Sequence, residues 1–163
     1  LILTEDGEIL SAGNGVAAGL KQTSDKFTNE NNNNKSDKLL GEKFSKLCVY
    51  NGSSIVITKD NSFFSVGINN NGQLGQAYTS PVNDITSMNF TKQISQISMS
   101  ETHTLLVTSE GKLWHIGNND YNQNGEPASG RNNSPKPIQL NKNENYKKNS
   151  IRLRFNQHHI KNR

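Results

Sequence analysis

One eleven-residue pattern occurs three times in this chain of 163 residues, and the repetition restricts the possible folds more than any other feature. The copies cover Leu3–Gly13, Ile57–Gly67 and Val107–Gly117, at successive offsets of 54 and 50 residues. In each copy, two apolar runs flank a polar pair, which is Asp-Gly, Asp-Asn or Glu-Gly. Gly, Asn and Asp readily adopt the positive φ of tight hairpin turns. Each copy is therefore expected to form a β-hairpin.

A two-residue turn in each hairpin predicts which side chains share a face. The expected cross-strand pairs are Leu3 with Leu10, Leu1 with Ala12, Ile57 with Phe64, Ile55 with Val66, Val107 with Trp114, and Leu105 with Ile116. Because side chains alternate along a strand, these pairs form one wholly apolar face in each copy. The other face is mixed but also carries apolar groups. A hairpin of this kind must be covered on both sides, which stacked neighbouring copies achieve.

A strand-rich repeat of about 50 residues without a helical period favours a β-propeller, whose blades are four-stranded sheets. The expected fold class is all-β, a partial β-propeller of about three four-stranded antiparallel blades. The additional strands must come from weaker apolar runs, such as Phe44–Tyr50 and Lys92–Met99.

The chain divides into repeats over residues 1–140 and a basic segment over 141–163. The copies lie near 1–20, 44–76 and 94–126, with a low-complexity insertion at 21–38. Asparagine supplies 25 of the 163 residues and dominates Asn29–Lys35. Such a tract cannot offset its ordering entropy, so we expect a disordered loop rather than a binding segment. Leu153 and His159 have the spacing of Ile97 and His103, so the basic segment is either a tail or the start of a further repeat.

The net charge of +4 is a property of the last segment alone. Residues 1–140 carry 11 Lys and Arg against 13 Asp and Glu, whereas residues 141–163 carry 7 against 1. A phosphate-binding face would concentrate basic side chains within the fold, so we do not expect nucleic-acid binding from this segment. No run of 18 apolar residues predicts a membrane span, and no secretory leader is evident. With Cys48 as the single cysteine, we expect a cytoplasmic or nuclear setting.

Two stretches resemble one known repeat. Residues 67–75, Gly-Ile-Asn-Asn-Asn-Gly-Gln-Leu-Gly, resemble the Gly-x-Asn-x-x-Gly-Gln-Leu-Gly signature of the regulator of chromosome condensation repeat. Residues 103–108 and the following hairpin resemble the His-Thr-x-x-Leu-Thr and acid-Gly portion of that repeat. The third copy departs at 122–125, the first lacks the Gln, and the second has Ser53 where the third has His103. The signature positions are Gly13, Gly67, Asn69, Gly72, Gln73, Gly75, His103, Gly111, Gly117, Gln123 and Gly125.

The resemblance implies a seven-bladed ring, of which this chain is a fragment with about three blades. It also implies two classes of function. The first, which we prefer, is a non-catalytic protein-interaction scaffold whose partner is another protein. The second is guanine-nucleotide exchange on a small Ran-like GTPase, with chromatin association. A regulatory domain joined to a catalytic one is a third possibility.

No residue pattern indicates a catalytic, cofactor or metal site, so we do not expect an enzyme. The predicted pairing places His103 and His115 on opposite faces, which argues against a metal pair and favours a structural, hydrogen-bonding role for His103. Cys48 lies in an apolar run and is expected to be a small buried side chain rather than a nucleophile. Trp114 is expected in the core. The signature glycines precede neither Lys-Ser/Thr nor a helix, so they do not form a phosphate loop.

Overall fold

The computed structural model describes residues 1–13, 24–29 and 42–139, and they form only β-strands and loops. Within those ranges, no helix is long and apolar enough to cross a membrane. Both weaker runs of the sequence analysis are strands, although the second begins later than Lys92. The strands are β1 (Ile2–Leu3), β2 (Ile9–Gly13), β3 (Ser24–Asn29), β4 (Phe44–Tyr50), β5 (Ser53–Thr58), β6 (Phe63–Gly67), β7 (Val82–Ser87), β8 (Ile94–Met99), β9 (His103–Thr108), β10 (Leu113–Asn118) and β11 (Arg131–Pro137).

The strands form three antiparallel sheets in which neighbours in sequence are neighbours in space. Blade one contains β1–β3, blade two contains β4–β7, and blade three contains β8–β11. The expected all-β architecture of about three antiparallel blades is confirmed, with three described strands in blade one. Blades two and three match at an offset of 50, since Gly67 pairs with Val82 and Gly117 pairs with Asn132. Each position of one blade therefore has a counterpart in the other.

Part of the segment 21–38, described in the sequence analysis as a low-complexity insertion, belongs to blade one. Residues Ser24–Asn29 form β3, in which Thr28 pairs with Ser11 and Asn29 pairs with Leu10. This strand was not predicted because an outer strand needs a free edge to pair with more than it needs an apolar run. The Asn-rich tract after Asn29 and the basic segment 141–163 lie outside the described residues.

The hairpins close through three-residue loops, not through the two-residue turns expected from the sequence. Thr58 N donates to Ser62 O at 3.0 Å, and Asn61 N donates to Thr58 O at 3.1 Å. The same two bonds recur in the hairpins that begin at Thr4 and Thr108. The third loop residue has positive φ in each case: Gly7 80°, Asn61 70° and Gly111 78°. This geometry is a type I turn followed by a left-handed residue.

The additional loop residue shifts every predicted pair by one. Ile57 lies opposite Phe63 rather than Phe64, and Trp114 lies opposite Leu106 rather than Val107. A one-residue shift changes which side chains share a face, so the predicted composition of each face was wrong. The observed pairs include Leu3 with Ile9, Ile2 with Leu10, Ile55 with Ser65, Ser54 with Val66, Leu105 with His115, and Thr104 with Ile116.

Both faces of blade two are nevertheless covered by neighbouring blades. Ile55, Ile57 and Phe63 pack with side chains of blade three, including Leu106 and Ile116. On the opposite face, a smaller core towards blade one contains Ile9, Phe44, Val56 and Phe64. Strand β4 also lies beside β8, so the first strands of blades two and three approach each other. Face-to-face stacking of whole sheets thus supplies the core, as expected for repeats that cannot bury their faces alone.

Candidate interaction surface

The strand connections separate each blade into two ends. We call one the loop end: it contains residues 49–53 and 67–82 of blade two, and 99–103 and 117–131 of blade three. The other is the turn end, formed by the hairpin loops at 4–8, 58–62 and 108–112 and the connections at 42–43 and 88–93. The two ends differ in the number of apolar side chains that they expose and in the number of charged side chains that they carry.

Two buried amides shape the signature loop of blade two. Asn69 Nδ2 donates to Tyr78 O at 2.7 Å, and Asn69 Oδ1 accepts from Leu74 N at 2.9 Å. Gln73 Oε1 accepts from Asn71 N at 3.0 Å, while Gln73 Nε2 donates to the carbonyl of Ile68 at 3.0 Å. Both side chains are buried, so these bonds replace the water that the loop backbone would otherwise need. The amides therefore fold the loop back on itself.

The folded loop inserts Leu74 between blades two and three. Leu74 is fully buried in the core shared with Leu106 and Ile116. Thr104 Oγ1 of blade three donates to the Gln73 carbonyl at 2.8 Å. The signature loop is thus a structural clamp between neighbouring blades.

Close backbone approach explains two of the signature glycines. A Cβ on Gly67 would overlap the carbonyl oxygen of Gly52, and a Cβ on Gly117 would overlap that of Thr102. Both glycines also have positive φ, at 108° and 100°. The other signature glycines with positive φ are Gly72, Gly75, Gly111 and Gly125, while Gly13 ends β2 opposite Ser24.

Blade three repeats the amide network with weaker burial. Asn119 is fully buried; its Oδ1 accepts from Asn124 N at 3.1 Å, and its Nδ2 donates to Pro127 O at 3.1 Å. Gln123 is half-buried, and its Oε1 accepts from Tyr121 N at 3.0 Å. Asn119 was not among the predicted signature positions, although it lies 50 residues after Asn69 and the repeat offset would have identified it.

His103 and His115 lie on the same face of blade three, which corrects the prediction of opposite faces. Their ring centroids are 5.9 Å apart and the rings are stacked. In the observed register, His115 lies opposite Leu105 and His103 lies opposite Gly117, so both rings project to one side. The error came from the predicted turn length.

Hydrogen bonds fix both rings as structural groups. His115 Nε2 donates to Asn118 O at 3.1 Å, and Asn132 Nδ2 donates to His115 Nδ1 at 3.4 Å. Ser100 Oγ lies 2.7 Å from His103 Nδ1. Burial and then the nearby His103 lower the pKa of His115 to about 4, and burial lowers the pKa of His103. Both imidazoles are therefore neutral at physiological pH.

The remaining candidate reactive groups show no catalytic arrangement. Cys48 is half-buried and packs against the core of blades two and three, where burial raises the pKa of its thiol. A raised pKa disfavours the thiolate that a nucleophile requires. Among residues 1–13, 24–29 and 42–139, no group of three or more His, Cys, Asp or Glu side chains could hold a metal ion.

Trp114 lines a groove between blades two and three. It is half-buried and packs on their shared core, with its ring edge-to-face against Phe90 at 5.1 Å. The groove measures about 510 Å³ and is also lined by Lys92 and Pro135. Trp114 Nε1 is buried without a hydrogen-bond partner within the described part of the chain.

Exposed apolar side chains concentrate at the loop end. Six large hydrophobic residues are exposed in the described ranges, and five of them belong to this end: Val49, Tyr50, Ile68, Tyr78 and Tyr121. The sixth, Ile2, lies on β1. An accumulation of this kind is a feature of protein-binding surfaces.

Charged side chains have the opposite distribution. The turn end carries ten, namely Glu5, Asp6, Glu8, Glu42, Lys43, Lys59, Asp60, Lys92, Glu110 and Lys112. The loop end contains about twice as many residues but only four charges: Glu101, Asp120, Glu126 and Arg131. Depletion of charge combined with exposed aromatic groups is typical of the centre of an interface.

Comparisons with known proteins agree with this architecture. Residues 94–123 match the model of the regulator of chromosome condensation (RCC1) repeat. The chain is 27% identical over 142 residues to the regulator of chromosome condensation of Xenopus laevis, covering 77% of this chain and 34% of that protein. It is 32% identical over 82 residues to the secretion-regulating guanine nucleotide exchange factor of Bos taurus, covering 49% of this chain and 18% of that protein. The chain thus spans about a third of the length of the first relative and less than a fifth of the second.

Solved structures show the same fold at low sequence identity. Human WBSCR16 superposes with a TM-score of 0.68 at 20% identity, covering 83% of this chain and 34% of that one. Yeast RCC1 (Prp20), crystallised with Kap60, superposes with a TM-score of 0.67 at 14% identity, covering 85% and 34%. The repeated hairpins, signature loops and stacked blades are thus similar to the regulator of chromosome condensation repeat, whose model matches residues 94–123, and the chain has a β-propeller fold.

Proposed function

We propose that this chain is a non-catalytic scaffold that binds another protein through its loop end. The observation that carries the proposal is the concentration of exposed apolar side chains at this end, where charges are few. The opposite end is rich in charge and contains short loops, which suits a solvated surface. The scaffold would act in the cytoplasm or nucleus.

Site-specific photo-crosslinking tests the proposal. A photoreactive phenylalanine analogue in place of Tyr121 should give discrete protein adducts in cells, because this side chain is 82% exposed at the loop end. The same analogue in place of Lys59, at the turn end, is the matched control and should give none. Equal adducts from both positions, or none from either, would overturn the proposal.

The second candidate function is guanine-nucleotide exchange on a small Ran-like GTPase, together with chromatin association. It is favoured by the similarity to two relatives, one of which is named as a guanine nucleotide exchange factor. An exchange factor accelerates release of labelled GDP at substoichiometric amounts. Such acceleration with any member of a panel of small GTPases would establish this function, whereas the scaffold proposal expects none.

A further inference from the structure

The loop end of blade two carries four exposed apolar side chains, which we call the blade-two patch: Val49, Tyr50, Ile68 and Tyr78. These side chains are 43%, 37%, 40% and 41% exposed. Two hydrogen bonds join the segments that carry these side chains. Ile68 N donates to Gly52 O at 2.9 Å, and the side-chain Nδ2 of Asn69 donates to Tyr78 O at 2.7 Å. The turn after Tyr50, the start of the signature loop and its end are therefore adjacent.

Blade three shows that the fold does not require this patch. Its counterparts at an offset of 50 are Met99, Ser100, Asn118 and Ala128. Met99 and Ser100 are buried and Asn118 is half-buried, so only the small Ala128 is exposed. The same strands, turns and amide network thus form with polar or small residues at three of these positions and with a buried methionine at the fourth. Exposed apolar groups at these positions are therefore not a requirement of the fold, and their accumulation in blade two marks a candidate binding surface.

The charged residues of the loop end indicate which kind of partner would bind. The charged residues of the loop end are three acids and one base, and Glu101 and Asp120 are exposed. Neither forms an ion pair with a described Lys or Arg. The base, Arg131, donates to the carbonyl of Asn70 at 3.3 Å. The loop end as a whole therefore combines exposed apolar side chains with a net negative charge.

We infer that the blade-two patch binds a polypeptide segment with apolar side chains flanked by Lys or Arg. This inference rests on the proposed scaffold function and specifies its partner. The apolar side chains of the segment would cover Tyr50, Ile68 and Tyr78. Its basic groups would face Glu101 and Asp120, which favours encounter and orientation more than affinity.

The matched variant gives blade two the residues of blade three: Tyr50→Ser, Ile68→Asn and Tyr78→Ala together. Because blade three folds with these residues at the same positions, the triple variant should keep its fold, which thermal denaturation checks. Ile2→Thr, at an exposed apolar site on β1 away from the loop end, is the control. The probe is a random-peptide phage library selected on the wild-type protein.

The selected peptides should combine apolar residues with Lys or Arg and should bind the control variant as they bind wild type. They should lose about tenfold or more in affinity on the triple variant, a loss typical of hot-spot residues. Peptides that bind the triple variant equally well, or that are acidic, would overturn the inference and leave the scaffold function intact. Failure to enrich any peptide would count against both.

Discussion

The imidazole of His103 stacks on that of His115 at a centroid distance of 5.9 Å, on one face of blade three. Neither ring has a carboxylate partner among its hydrogen bonds, which involve Ser100, Thr102, Asn118 and Asn132. Two neighbouring imidazoles cannot both be charged there without strong repulsion in a poorly solvated site. The pair therefore makes the stability of blade three dependent on pH.

Unfolding experiments should show this dependence between about pH 6.5 and 4. The pKa of His115 in the fold is about 4, below the usual value of about 6.5 in an unfolded chain. The unfolded state thus binds more protons as the pH falls, so the stabilisation by neutral His115 is complete above pH 6.5 and declines below it. The full effect is roughly 3 kcal/mol at about 1.4 kcal/mol per pKa unit.

Urea denaturation at several pH values measures the slope. His115→Gln should be less stable at pH 8 but should lose less stability between pH 6.5 and 5 than wild type. An unchanged slope in this variant would show that other groups cause the pH dependence.

Valine should be tolerated less well at Gly72 than at Gly125. Both positions have positive φ, which costs a β-branched residue about 1–3 kcal/mol. At Gly72, a Cβ would also overlap Oδ1 of Asn133 and lie 3.1 Å from its Cα, whereas at Gly125 it meets nothing within 4 Å among the described residues. The melting temperature should therefore fall further for Gly72→Val, and equal shifts would contradict the assignment.

Leu74→Ala should destabilise the protein by about 2–5 kcal/mol, the usual range for removing a buried leucine side chain. Leu74 is fully buried between blades two and three, and little of its surroundings can collapse because the loop is held by Asn69 and Gln73. Ile68→Ala, in the same loop but exposed, should cost less than about 0.5 kcal/mol. Chemical denaturation of both variants provides the test, and similar losses would show that Leu74 is not a clamp.

Asn61→Gly should remove a contact between blades two and three while it leaves the hairpin turn intact. Glycine keeps the positive φ, as Gly7 and Gly111 do in the equivalent hairpins. The change removes two bonds to blade three: Asn61 Nδ2 to Lys92 O and Ile94 N to Asn61 Oδ1, both 3.1 Å. We expect a loss of about 1–2 kcal/mol in the free energy of unfolding, at about 1 kcal/mol per bond. A variant as stable as wild type would show that these bonds contribute nothing.

The repeat predicted the architecture but not the register. Apolar alternation and the 50-residue offset were enough to identify the hairpins and the additional strands β4 and β8. The pairing depended on whether Lys59 and its counterparts belong to the turn or to the strand. A charged residue beside Asp-Asn or Asp-Gly fits both, so only hydrogen bonding decides. The outer strand β11 was not predicted because Arg131–Pro137 is polar and contains two prolines, which an edge strand tolerates.

The candidate interaction surface could not be predicted from the sequence either. The apolar character of Val49 and Tyr50 is equally compatible with a buried strand, and Ile68 and Tyr78 are isolated within polar loops. Their exposure depends on how the blades stack and which end the strands reach. The signature residues could, by contrast, be located from the sequence: Gln73 recurs as Gln123 at an offset of 50, and Asn69 was identified through the resemblance of residues 67–75 to the family signature.

The insertion of Leu74 between blades means that the unit of packing is not the unit of repetition. Leu74 belongs to blade two by sequence, but its side chain lies in the core shared with Leu106 and Ile116 of blade three. A copied repeat therefore supplies only one side of each contact between blades. Its loop can pack only if the blade that follows has a compatible surface. Across homologous sequences, the residue at position 74 should vary together with the residue at position 116 more closely than with its neighbours in blade two.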